Sequence, residues 1–179
     1  MVYIILGKGF EEAEALIPCD LLRRAGAEVQ FAGIGGREVT GGHGITICAD
    51  TLAEEAPLAE AEMLVLPGGL GGVASILGCE KVMQALPVVY GKGNYVAAIC
   101  AAPTILAKLG ITDGRWATCY PGMEDQMGKA KMSRLPASRD GNVITGRSAG
   151  TAFEFALELI AALCGGEKAK EIAQQIVFN

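Results

Sequence analysis

With 179 residues, 51% of them apolar and 20% charged, the chain is long enough to close one hydrophobic core, and its composition is not that of a disordered segment. Fifteen Lys and Arg against 20 Asp and Glu leave a net charge of -5, with no basic stripe to neutralise phosphates, which excludes a nucleic-acid backbone as the main partner. Six scattered cysteines with no C-x-x-C pair make neither a disulfide framework nor a zinc site, so no metal is expected and the compartment is read as reducing.

Residues 2–7 open the chain as an apolar strand without a basic leader or a small-residue cleavage site, so the expectation is a cytoplasmic protein with no signal peptide. Residues 28–34, 63–67 and 95–100 repeat that short Val- and Ile-rich pattern, as strands buried on both faces of a parallel sheet do. Residues 11–25, 79–91 and 101–109 lie between them with helical spacing. Residues 41–49, 116–119 and 142–145 read as further strands, and 151–163 and 167–177 close the chain as helices. The longest nearly apolar stretch, 95–107, is too short for a bilayer and is broken by Pro103, so no membrane partner is expected. The alternation predicts one α/β domain over residues 1–179, a mostly parallel sheet with helices on both faces. Ligands of such sheets bind beyond the carboxyl ends of the strands, which directs attention to the turns 7–12, 67–73, 100–103 and 146–150.

Most motif-like strings in those turns fail on inspection. The string from Gly7 to Glu12 sits where a dinucleotide fingerprint would, but Glu11 and Glu12 would repel a pyrophosphate, and no acidic residue ends the second strand to hold a ribose. The glycines between Gly68 and Gly72 fit that fingerprint only loosely. Gly146-Arg147-Ser148-Ala149-Gly150 has the letters of a serine nucleophile elbow, yet the single histidine, His43, lies upstream, so a backbone turn is the better reading. A phosphate-binding G-x-x-x-x-G-K loop is missing as well, and no cofactor is expected.

Two residues stand apart. Cys100 ends a buried strand and precedes Ala101-Ala102-Pro103, a helix start whose free N–H groups and dipole favour a thiolate. Position alone does not separate this from the small buried hydrophobe that most free cysteines are. Glu14 shares a helical stripe with Phe10, Ile17, Leu21 and Ala25, which predicts a buried carboxyl with a raised pKa. Glu11 and Glu12 read instead as a solvated acidic first turn, with Glu12 on the opposite face. Pro18 inside the same helix removes a backbone bond.

Several separated strings then resemble one family in order: residues 8–14 with 17–20, Arg23-Arg24-Ala25-Gly26, Leu64-Val65-Leu66-Pro67-Gly68-Gly69, residues 97–103 and residues 150–157. Nearly end to end, the sequence is similar to the ThiJ/PfpI superfamily, in the branch of the parkinsonism-associated deglycase. The resemblance implies a flavodoxin-like (class I glutamine amidotransferase-like) sandwich, a homodimer, and a nucleophilic cysteine on an elbow. It maps the nucleophile onto Cys100, the acidic partner onto Glu14, and the backbone anion-stabilising groups onto Gly69 and Ala101, with Gly68 in the same turn. The activity it implies is cofactor-independent glyoxalase or deglycase chemistry on methylglyoxal or glyoxal and their adducts. Its alternative is an oxidative-stress sensor or chaperone that works through oxidation of Cys100. Departures from the family pattern are Tyr120 where some members carry a histidine, Ala101 where protease-like members do, Ala149 in place of a proline, and His43 in place of an arginine. The missing histidine counts against peptidase activity. Tyr120, Arg147, Ala149 and His43 are the residues expected around the pocket wall.

Overall fold

The computed structural model describes residues 1–178. Its strands alternate with helices because each short Val/Ile-rich run is buried on both faces and each longer segment carries one apolar stripe. β1 (Val2–Leu6) leads through α1 (Glu12–Arg24) to β2 (Val29–Gly33), and the chain then makes a small antiparallel hairpin, β3 (Glu38–Thr40) with β4 (Thr46–Cys48), and a two-residue strand, β5 (Thr51–Leu52). β6 (Met63–Leu66), α2 (Leu70–Gly78), α3 (Glu80–Gly91), β7 (Tyr95–Ile99) and α4 (Pro103–Lys108) follow. A second small pair, β8 (Trp116–Ala117) with β9 (Lys131–Met132), precedes β10 (Ala137–Asp140), β11 (Val143–Gly146), α5 (Ala152–Cys164) and α6 (Gly166–Gln175).

Seven strands form the main sheet in the order β10-β11-β7-β6-β1-β2-β5, all parallel except the edge strand β10. Alternate residues of each strand feed two cores. Ile5, Leu64, Leu66, Val96 and Ala98 face α2, α3 and α4, whereas Ile4, Leu6, Val65, Ala97 and Ile99 face α1 and α5. β2 lies on one side of β1 and β6 on the other, so the connections diverge at the carboxyl ends of β1 and β6, where a crevice must open.

Some expectations need correction. Residues 41–49 are not one strand: Gly41, Gly42 and Gly44 form the turn of the β3/β4 hairpin, and that hairpin stands apart from the main sheet. The turn expected over 67–73 already contains the start of α2, whose first residues are Leu70 and two glycines and carry no helical stripe to read. The helix expected from 101 starts at Pro103 and is six residues long. Among the described residues no single helix is long and apolar enough to cross a membrane. α2 and α3 together have the length and composition for it, but they are bent by 86° and bury Val73, Ile76, Val82 and Leu86 against the sheet.

Candidate active site

Cys100 follows β7 with φ +67, a left-handed backbone that a residue with a Cβ adopts only when its surroundings impose it. Three hydrogen bonds do so. The Cys100 N–H donates to Gly146 O (3.0 Å), Cys100 O accepts from the Tyr120 N–H (2.7 Å), and the Ala102 N–H closes back on Ile99 O (3.1 Å). The turn lifts the sulfur above the sheet, where the backbone N–H groups of Ala101 and Gly69 reach it.

Glu14 comes to the same point from α1. Its side chain is fully buried. The Gly68 N–H donates to Oε2 at 2.8 Å, Oε1 has no hydrogen-bond partner, and the Cys100 side chain lies beside the carboxyl. Gly68 is required here, because a Cβ on it would stand 2.6 Å from Glu14 Oε2 and 2.8 Å from the Cys100 Cβ. Gly69, at φ +81, is held as closely: a Cβ would lie 2.5 Å from Gly9 O and 2.8 Å from Glu11 N. The Glu11 N–H donates to Gly68 O at 3.0 Å, which ties the start of α1 to the glycine turn.

Burial drives the electrostatics. Desolvation raises Glu14 to about 7, against the lowering effect of Cys100 and Gly68, and the nearby Glu11 carboxylate adds to the rise. Cys100 is pushed up to about 12, first by burial and then by Glu14, while the Ala101 and Gly69 N–H groups pull the other way. Burial and Glu14 oppose the thiolate expected at this helix start, and the two N–H groups favour it. α4 is a six-residue helix that begins three residues after the sulfur, so the dipole it offers is small. Each group's charge opposes the other's, so the two titrate as a coupled pair.

The sulfur opens into a cavity of about 490 Å³ lined by Glu11, Gly69, Leu70, Cys100, Ala101, Tyr120, Pro121, Gly122 and Met123. Tyr120 is in the wall, as expected. His43, Arg147 and Ala149 are not. The His43 Nδ1 lies 2.9 Å from Glu12 Oε2 and faces solvent. The Arg147 guanidinium donates to Arg134 O (2.7 Å), and Ala149 begins a single 3₁₀ turn capped by Ser148 and Thr151. That cap is also what Ser148 does in its G-x-S-x-G string. A second groove of about 530 Å³, bounded by Trp116, Leu135, Arg139 and Glu158, lies away from the cysteine, and its two charges pair with each other at 3.8 Å.

Glu12 does not belong to a solvated first turn, as the sequence suggested. It is buried, and its carboxylate accepts from the backbone N–H of His43 (2.7 Å) and of Ile45 (3.4 Å) as well as meeting the His43 ring. Burial pushes its pKa up, yet these partners more than compensate and hold it below the usual carboxylate range. Gly41 leaves the space that Glu12 fills. The glycines around His43 were the available signal, since a loop of that kind often closes over a buried acceptor.

The DJ-1/PfpI family pattern matches residues 1–162. This chain belongs to the DJ-1/PfpI family. The Drosophila melanogaster protein dj-1beta is 40% identical over 177 residues, covering 97% of this chain and 95% of that protein. A Pyrococcus abyssi protein named a deglycase is 34% identical over 164 residues, covering 90% of this chain and 98% of its own length. The structure of a Toxoplasma gondii DJ-1 described as oxidized superposes with a TM-score of 0.94 at 31% identity, over 99% of this chain and 97% of that one. Fold and family were thus both present in the sequence strings. The Glu11 and Leu70 sides of the cavity were not.

Proposed function

We propose that this member of the family is a cofactor-independent, cysteine-dependent glyoxalase or deglycase acting on methylglyoxal or glyoxal and their adducts. The observation that carries the reading is the buried Cys100–Glu14 pair at the floor of an open cavity, with the N–H groups of Gly69 and Ala101 at the sulfur. The Pyrococcus abyssi relative's name agrees with it.

The reactive tautomer has the proton on Glu14 Oε1 and the charge on Sγ. Two N–H groups then hold the sulfur, and the protonated Glu14 carboxyl donates to it. The thiolate adds to the aldehyde carbon, and the new oxyanion, beside the Gly69 and Ala101 N–H groups, takes the Glu14 proton to give a hemithioacetal. The Glu14 carboxylate then removes the proton from that carbon and returns it to the neighbouring carbonyl carbon. The hydroxyl proton on the first carbon passes to the oxygen of the second, so the first carbon is oxidised and the second reduced, leaving a 2-hydroxyacyl thioester. Water hydrolyses it to lactate and restores the pair. An adduct on an amine follows the same course after releasing the amine.

Purified protein is expected to convert methylglyoxal to lactate, and Cys100→Ser and Glu14→Gln to lower kcat/KM by at least about a hundredfold. Retention of wild-type rates by either variant rejects the mechanism. A partly exposed sulfur with a carboxyl donor beside it also suits oxidation to sulfinic acid, and the oxidized Toxoplasma gondii relative agrees with that second reading. Selective oxidation of Cys100 by peroxide in a protein without turnover would favour the sensor.

A homodimer accompanies this reading. Leu16, one turn beyond Glu12 on α1, and Ile45, in the loop that Glu12 holds, are apolar side chains 40% and 52% exposed that a second copy could cover. Sedimentation is expected to give a dimer that Leu16→Arg dissociates.

A further inference from the structure

The cavity above Cys100 has a charge of its own. Of its nine lining residues Glu11 alone is charged, and no Lys, Arg or His is among them. Glu11 is not aimed at bulk water: its side chain is 24% exposed, and its carboxylate is close enough to Glu14 to raise that group's pKa. The counter-charge available to it, His43 at 3.6 Å from Oε2, stands on the solvent side with its side chain 70% exposed and is shared with Glu12. Leu70, Pro121 and Met123 make the rest of the wall apolar, so little screens the cavity from that carboxylate. The volume, about 490 Å³, also exceeds the room a three-carbon aldehyde needs, leaving space for the group an adduct carries.

We infer that Glu11 is a specificity-determining residue, a charge filter that admits neutral and cationic carbonyl compounds to Cys100 and turns away anionic ones. This deepens the reading of the site as a carbonyl-processing centre and rests on it for the substrate class. The favoured substrates are neutral 2-oxoaldehydes and their adducts with amines or guanidines. Adducts of carboxylate-bearing thiols and carboxylated aldehydes are disfavoured by like-charge repulsion.

The filter is read without turnover by alkylating Cys100 with iodoacetamide and with iodoacetate, reagents of similar size that differ by one negative charge. Mass spectrometry of the Cys100 peptide in wild type and Glu11→Gln, at alkaline pH where the His43 ring is neutral, gives the ratio of the two rates. The ratio cancels any change in thiolate fraction that the mutation causes through Glu14. It is expected to be at least about fivefold larger in wild type than in the variant. In wild type alone it is expected to shrink as salt is raised from about 10 mM to about 1 M. Equal ratios in the two proteins, or a ratio indifferent to salt, overturn the proposal. Should Glu11→Gln fail to fold, Glu11→Ala takes its place in the same comparison. Phenylglyoxal and its 4-carboxy derivative then separate the two claims. Turnover of neither rejects the enzymatic reading while the alkylation ratio still tests the filter. Equal kcat/KM for both in wild type rejects the filter while the activity stands.

Discussion

Cys100 and Glu14 occupy a space in which only one of them can be an anion, and that sets the reactivity to expect. As pH rises the pair loses its first proton near 7, and from there a population with the proton on Glu14 and the charge on sulfur becomes available. The iodoacetamide rate at Cys100 is therefore expected to climb through an apparent pKa near 7. In Glu14→Gln the thiol has no internal proton acceptor and stays buried, so the inflection moves to higher pH. An unchanged midpoint in the variant would show that Glu14 does not govern the sulfur. Both residues were legible in the sequence, Glu14 as a carboxyl in an apolar stripe and Cys100 as the end of a buried strand. The protonation balance was not legible, because it depends on how many N–H groups reach each anion. Sγ meets those of Ala101 and Gly69, and Oε2 meets only that of Gly68.

On the scale of elements, the start of α1 is fixed by side chains that periodicity alone assigned to solvent. Glu12 holds the β3/β4 turn through the His43 and Ile45 N–H groups, so Glu12→Ala leaves donors unpaired and is expected to lower stability by about 2 kcal/mol. Amide exchange at His43 and Ile45 should accelerate well beyond the global change, and a uniform acceleration would count against a local clamp. The clamp also has an acid limit. Because the Glu12 pKa is lowered in the fold, its contribution is present above the ordinary carboxylate range and lost as pH falls through the lowered value. A helical wheel places Glu12 away from the Glu14 stripe correctly. It knows nothing of a hairpin that arrives on the far side from 31 residues later.

For the whole molecule, the cost of burying Glu14 is a stability term that varies with pH. A rise from 4.5 to about 7 corresponds to about 3 kcal/mol. The unfolded chain gives up this proton at the lower pH. Stability should therefore fall as pH rises from about 4.5 to about 7 and level off above it. Glu14→Gln keeps an acceptor for the Gly68 N–H and removes the titration, so urea unfolding of that variant is expected to vary much less across the window. Parallel curves for the two proteins would place the destabilising charge elsewhere.

By itself the sequence determined the alternating strands and helices, the parallel sheet they must form, the family, and the pair Glu14 and Cys100. All of these follow from local periodicity or from short strings that fold next to themselves. Tertiary structure alone decided that Glu12 is a buried clamp, that Glu11 and Leu70 border the cavity while His43, Arg147 and Ala149 do not, and that the thiol is held up to about 12. The physical reason is common to them: each depends on which distant backbone donors, glycine gaps and charges converge at one point, and a linear pattern of residue types does not carry those distances.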